Sequence, residues 1–206
     1  MLFKSHDSDI IENKVLNLQN ILSETEINSV LYSDPFLKAG FIAKFVQDTT
    51  VDILYLDLDL LYSGYLASKM LSTPQNLSLF QPTLEIWNQT LTQILVKLSL
   101  QKSIIIIDSL NGLYNLQSKR KDIGKLVTSY IMLIASMAKK TNSYVVVASM
   151  VRFKKEEGWI LSPTGKRLIE TKMVKRIILE EHEGGITLDF LNKKQKILIP
   201  SSAILL

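Results

Sequence analysis

Between Ser103 and Asp108 the chain reads SIIIID, and from Tyr144 to Ala148 it reads YVVVA, runs of β-formers with no polar residue set aside to face water. Such a strand has to be covered on both faces, which in practice means a parallel sheet with helices above and below it. The segments around these runs can supply the cover. PTLEIWNQTLTQILVKLSLQ places Leu84, Trp87, Leu91, Ile94, Leu95 and Leu98 at helical spacing, and LVTSYIMLIASMAKKT predicts a long helix before the second run. Upstream the alternation repeats. NSVLY, from Asn28 to Tyr32, reads as a strand and Leu37 to Gln47 as a helix through Phe41, Ile42, Phe45 and Val46; the strand-like run DILYLDLDLLY then precedes the helix-like GYLASKML.

Strands alternating with helices imply an α/β fold, a doubly wound, mostly parallel central sheet with helices on both faces. KRIILEEHEGGITLDFL, with Gly184-Gly185 as the turn, predicts a hairpin, and a short ILIP strand follows, giving an antiparallel C-terminal edge. Ile11, Val15, Leu18 and Leu22 are spaced for an amphipathic helix over Ile10–Leu22. Residues 1–28 would thus form a helix and turn leading into one domain spanning 1–206. Val151 to Leu168, VRFKKEEGWILSPTGKRL, reads as a loop of mixed character.

Composition narrows the function classes. At 206 residues with 47% hydrophobic side chains, the chain can bury a sizeable core. There is no cysteine, which excludes disulfides and thiolate zinc sites and suits a reducing compartment. No run approaches the roughly 18 apolar residues of a membrane helix, and MLFKSHDSDII is too polar for a signal peptide, so the expectation is a soluble, cytoplasmic protein without a membrane partner. A net charge of +4 leans basic without marking a basic tail.

Ligands of such sheets bind beyond the carboxyl ends of the strands. There, an apolar strand closed by Asp108 has the form of a Walker B motif, whose carboxylate helps to hold Mg²⁺ on nucleotide phosphates; the same aspartate would equally serve to cap the following turn. YSDPFLKAGF, Tyr32 to Phe41, sits at a strand-to-helix junction where a Walker A loop would read GxxxxGK[ST]. With Lys38 as the lysine, Leu37 stands at the second glycine, Ala39 at the Mg²⁺-binding hydroxyl, and Tyr32 at the first glycine, or Ser33 if the loop is one residue shorter. Phe36 and Leu37 are too bulky for a loop that needs positive φ and close backbone approach to phosphate. An ordinary turn carrying a surface lysine remains the alternative.

With these motifs in order, the sequence resembles the RecA/RadA/KaiC-like ATPases along most of its length. LNLQNILSETEINSVLYSDP is similar to the segment entering their P-loop, with SDP for Gly-Glu-Pro. YLDLD resembles Tyr-Ile-Asp-Thr-Glu and sets Asp59 at the water-activating Glu. IIIIDSL matches their Walker B, including Ser109 and Leu110. VVVASMV resembles Val-Val-Thr-Asn-Gln-Val, with Ser149-Met150 at the phosphate-sensing Asn-Gln pair, and PTGKRLIETKMVKRIIL resembles Pro-Ile-Gly-Gly-His-x-x-x-His-x-x-x-x-Arg. The resemblance implies a RecA-like paralogue with degenerate Walker A and sensor motifs. Its vestigial nucleotide site would comprise Ser33, Lys38, Ala39, Asp108 and Ser109, with Asp59 a vestigial catalytic residue. Met150 cannot donate to a phosphate, and Asp59 is one methylene shorter than Glu. No cofactor is expected, with weak ATP/Mg²⁺ binding the alternative.

In the recombinases the resemblance implies two DNA-facing loops, and the basic clusters fall at their positions. Lys119, Arg120, Lys121 and Lys125 follow Walker B; Arg152, Lys154, Lys155, Lys166 and Arg167 follow the sensor strand, with Phe153 and Trp159 among them. Cations with interleaved aromatics suit single-stranded nucleic acid, where phosphates need neutralising and bases need stacking partners. Solvated charge, and Trp159 packed on a neighbouring subunit, fit the same residues. The implied function is a non-hydrolysing paralogue binding single-stranded DNA or a catalytic recombinase paralogue in recombination and repair. The alternatives are a structural RecA-fold ring subunit, similar to the Elongator accessory ring and associating with RecA-fold paralogues or itself, and a weak ATPase using Lys38 and Asp108. Glu180, Glu181 and His182 on one strand would point to alternate faces and so converge poorly on a metal.

Overall fold

The computed structural model describes residues 10–12, 18–154, 158–161, 174–191 and 195–203. The strands are β1 (Ile10–Glu12), β2 (Ile27–Tyr32), β3 (Asp52–Asp57), β4 (Leu77–Phe80), β5 (Ser103–Asp108), β6 (Tyr144–Lys154), β7 (Gly158–Leu161), β8 (Val174–His182), β9 (Gly185–Phe190) and β10 (Gln195–Pro200). The helices are α1 (Pro35–Asp48), α2 (Leu61–Ala67), α3 (Trp87–Leu100), α4 (Leu110–Leu116) and α5 (Ile123–Lys140).

The strands lie in the order β1-β10-β9-β8-β2-β6-β5-β3-β4, with β7 paired to β6 alone. From β8 through to β4 every neighbour is parallel, whereas β8-β9 and β9-β10 are antiparallel, so the sheet is mixed and mostly parallel with an antiparallel C-terminal edge. The isoleucines of β5 explain the layering. Ile104 and Ile106 enter one core with Phe41, Phe45 and Tyr62 of α1 and α2; Ile105 and Ile107 enter the other with Trp87, Ile94, Ile131 and Ile134 of α3 and α5. Trp87, Leu91, Ile94 and Leu98 of the expected stripe are core and Leu95 packs partly buried against them, whereas Leu84 precedes α3 and is exposed.

Several elements differ from the sequence reading. The helix expected over Ile10–Leu22 gives way at both described ends: Ile10–Glu12 pairs in parallel with β10, and Leu18–Ile21 is a 3-10 turn. Leu18 and Ile21, three apart, both point into the core, a spacing that a three-residue turn serves as well as an α-helix. The loop expected from Val151 is instead the continuation of β6 into a hairpin with β7, in which Arg152 pairs with Ile160 and Phe153 with Trp159. Short β4 and α4 were missed, each too brief to establish a period. At the C-terminal hairpin the turn falls on Glu183-Gly184, and Gly185 opens β9 rather than closing the turn.

Gly185 has φ +147°, and a Cβ there would lie 2.0 Å from the Ile199 carbonyl oxygen of β10. A side chain would both strain the backbone and pry β9 from β10. Gly185→Ala is expected to destabilise the fold by about 1–3 kcal/mol or more, whereas Gly64→Ala, with open space around it, is expected to leave the urea midpoint unchanged or slightly raised. Equal midpoints for the two variants would contradict this packing.

Candidate functional site

The carboxyl ends of β2, β3 and β5 meet the first turns of α1. Asp34 precedes that helix in extended conformation, and its Oδ1 accepts from the amides of Phe36 (2.6 Å) and Leu37 (3.3 Å), with Pro35 in the first turn. A carboxylate cap with proline at the start of the helix is a favoured N-terminus. It also means that the amide groups able to bind an anion are already satisfied by one.

From this start, Lys38, Ile42 and Phe45 fall on the face of α1 that the sheet buries. Lys38 is 1% exposed. Its Nζ donates to Asp108 Oδ1 at 2.6 Å and to Asp59 Oδ2 at 3.2 Å, and lies 5.0 Å from the centre of the Tyr32 ring. The other oxygen of Asp108 accepts from the Tyr55 hydroxyl at 2.7 Å. Asp59 Oδ1 accepts from the Ser109 hydroxyl (3.1 Å), which itself accepts from the Gly112 amide at the start of α4. A Cβ at Gly112 would come within 2.6 Å of Leu58 Cβ and 2.8 Å of Asp59 Oδ1, so glycine is what lets α4 approach this corner.

The electrostatics follow from burial. Desolvation alone would lower the Lys38 ammonium, but Asp108, Tyr32 and Asp59 outweigh it and hold the group above its ordinary 10.5. For Asp108 burial is also the largest influence and pushes the carboxyl up, against the opposing pull of Lys38 and Tyr55. Burial raises Tyr55 well above the ordinary phenol, and raises Tyr32 to about 12. Burial thus works against the charge of both partners while their mutual attraction works for it, and a buried pair of this kind is weak evidence for stability.

Of the residues expected in a vestigial nucleotide site, Lys38, Asp59, Asp108 and Ser109 are brought together. Ser33 is exposed outside the network, and Ala39 is buried along α1 without a polar role. Tyr55 and Asp34 were missed as site residues; Tyr55 reads as a core aromatic, and Asp34 carries only the ordinary cap signal before Pro35. Asp57 does not join Asp59. It is buried on β3 and its Oδ2 accepts from the Ser63 amide of α2 (2.8 Å), a capping role. Met150 stands directly beside Tyr32 on paired strands and packs against the α1-side core.

These residues do not fit a nucleoside triphosphate with Mg²⁺. Phosphate at the start of α1 would meet the Asp34 carboxylate, Lys38 would have to leave two carboxylates and enter water, and Ala39 offers no hydroxyl to a metal. Among the described residues no group of three or more acids or histidines could hold a metal ion.

The cations fall in two places. Lys119, Arg120, Lys121 and Lys125 are exposed around the turn between α4 and α5, Arg120 facing Asp122 at 3.8 Å. Arg152 is exposed on β6. Lys154 lies on β6 with Phe153, opposite the strand that carries Trp159. Lys155, Lys166 and Arg167 lie outside the described residues. No protein-family model matches this chain, and no curated protein is similar to it. The α/β domain with its mostly parallel sheet is consistent with a P-loop-like fold, and no described helix is long and apolar enough to cross a membrane.

Removing one partner of a buried pair strands the other, so Asp108→Ala is expected to cost roughly 3–5 kcal/mol, while Lys38→Met with Asp108→Asn together recovers most of that loss. Asp59, with its side chain 29% exposed, is expected to cost about 1 kcal/mol or less as alanine. Urea unfolding of the three variants decides it; equal losses for Asp108→Ala and Asp59→Ala would refute the buried pair. Alkaline pH supplies a separate test. Lys38, Tyr55 and Tyr32 have folded values above those of the unfolded chain, so the fold keeps protons that the unfolded chain releases from about pH 10 upward. Their contribution is complete below that point and lost as pH rises through the folded values. The urea midpoint is expected to fall steeply above pH 10, and less steeply in Lys38→Met; parallel curves would count against the assignment.

Proposed function

We propose that this chain is a RecA/RadA-like paralogue that does not hydrolyse ATP and that acts by binding single-stranded DNA or a catalytic recombinase paralogue in DNA recombination and repair. The observation that carries the reading is the closed pair of Lys38 with Asp108 and Asp59 beneath a helix terminus already occupied by Asp34. The Asp34 carboxylate takes up the amides at the start of α1 that would otherwise meet a phosphate, and Lys38 is held by Asp108 and Asp59 instead of pointing to that helix start. The motifs survive in order while their chemistry has turned inward.

Binding then falls to the cations. β5 and β6 are neighbouring parallel strands, so the α4–α5 turn that follows β5 and the β6–β7 hairpin both emerge beyond the carboxyl edge of the sheet. Lys119, Arg120, Lys121 and Arg152 would neutralise phosphates there, and Phe153 and Trp159, opposite each other in the hairpin register, would offer rings to bases. Phosphate neutralisation releases counterions, which makes affinity fall with salt in proportion to the contacts made.

The deciding experiment is an anisotropy titration of a labelled single-stranded oligonucleotide at low and physiological salt, with and without Mg·ATP. Salt-sensitive binding indifferent to ATP is expected. Replacing Lys119, Arg120 and Lys121 together by alanine should weaken it at least about tenfold and flatten the salt slope by about 0.7 per lost contact. No binding at low salt would overturn the DNA reading. Mg²⁺-dependent phosphate release abolished by Lys38→Ala would overturn the loss of hydrolysis.

A further inference from the structure

On the α1 side of the sheet, lined by none of the buried-pair residues, a groove of about 840 Å³ opens between the start of α1, the end of α2 and the β8–β9 hairpin. Its wall is apolar, with Phe36, Tyr65, Met70 and Ile186 among its lining residues. Phe36 and Met70 are 69% and 59% exposed, more than large apolar side chains gathered in one concavity ordinarily are. On the hairpin side stand Glu181 and Glu183, both exposed, and neither has an ion-pair partner among the described residues. In a chain of net charge +4 this is a local reversal of sign.

The combination selects an occupant. An apolar floor accepts a large apolar side chain; an acid rim repels phosphates, nucleic acid and anionic lipid headgroups, and attracts lysine and arginine. Asp34 at the start of α1 adds to the same sign beside Phe36. The exposed ring of Phe36 also presents a face suited to a cation, with Tyr65 half-buried beside it in the groove wall. We propose that this groove docks a basic, apolar-anchored segment of a partner protein, a large apolar residue filling the floor and flanking Lys or Arg residues pairing with Glu181 and Glu183. This surface does not depend on the nucleic-acid reading, since it uses none of the same residues.

The test uses the full chain and a short fluorescein-labelled peptide carrying a Phe-Leu pair flanked by lysines and arginines. Two control peptides accompany it, one with the basic residues exchanged for glutamates and one with the Phe-Leu pair exchanged for serines. Anisotropy at physiological salt is expected to show binding of the first peptide alone. Affinity should fall at least about tenfold both in Phe36→Ser/Met70→Ser and in Glu181→Lys/Glu183→Lys, a loss of about 1.4 kcal/mol or more. All four positions are exposed or lie at the rim, and a circular dichroism spectrum matching the parent protein confirms that the variants fold. Unchanged affinity in either variant, equal binding of the glutamate peptide, or no binding up to roughly 1 mM overturns the proposal. So would light scattering that shows self-association abolished by Glu181→Lys/Glu183→Lys, which would give the groove to a second copy of this chain. Oligonucleotide binding that survives the groove variants, or is lost only with Lys119, Arg120 and Lys121, keeps the two readings separable.

Discussion

An ammonium ion buried beneath a helix is the constraint around which this end of the molecule is arranged. Lys38 cannot be solvated where α1 places it, so carboxylate oxygens must be delivered to it within hydrogen-bonding distance. β5 ends on Asp108 at the height of the first full turn of α1, Tyr55 from β3 takes up the remaining Asp108 oxygen, and Ser109 steadies Asp59. Gly112 then follows from Asp59, because anything larger would push that carboxylate away. One charge on α1 thus fixes the choice of residue on two strands, on α4 and in the two turns between them.

Such a pair gives little net stability, since desolvation consumes most of the attraction. What it gives is position. A shift of α1 by one residue along the sheet would leave an unpaired charge in the core, a penalty that apolar contacts among Ile42, Phe45 and Val46 could not impose, because they are nearly interchangeable. The polar corner therefore sets the register of a helix whose own surface is apolar on almost every side.

How much of this was legible in the sequence depended on whether a signal was local. The β5 isoleucines announced a strand covered on both faces, and Asp108 at its end announced the polar corner, because period and terminus are properties of adjacent residues. Lys38 was legible as a residue that matters but not in the direction it points: whether a lysine faces phosphate or carboxylate depends on β3 and β5, far along the chain. Tyr55 stood in the YLDLD resemblance and in an apolar strand, but neither shows that its hydroxyl reaches Asp108. Ile10–Glu12 was misread because a partner 186 residues away in register, Lys196 for Ile10, decides its conformation, and such pairing overrides a helical spacing of four residues. The β6–β7 hairpin was hidden for a different reason: its lysines and glutamates are the composition of a loop, and only the pairing of Val151–Lys154 with Gly158–Leu161 makes it a hairpin.

β6 is 11 residues long and runs without interruption from the centre of the sheet into that hairpin. Its inner half is stitched on one side to β2 and on the other to β5, both parallel to it. A pull on the hairpin along its axis is consequently borne in shear, by all of those backbone hydrogen bonds together, instead of being peeled apart one bond at a time. Load applied at the hairpin passes first into β2 and β5, the two strands paired with β6.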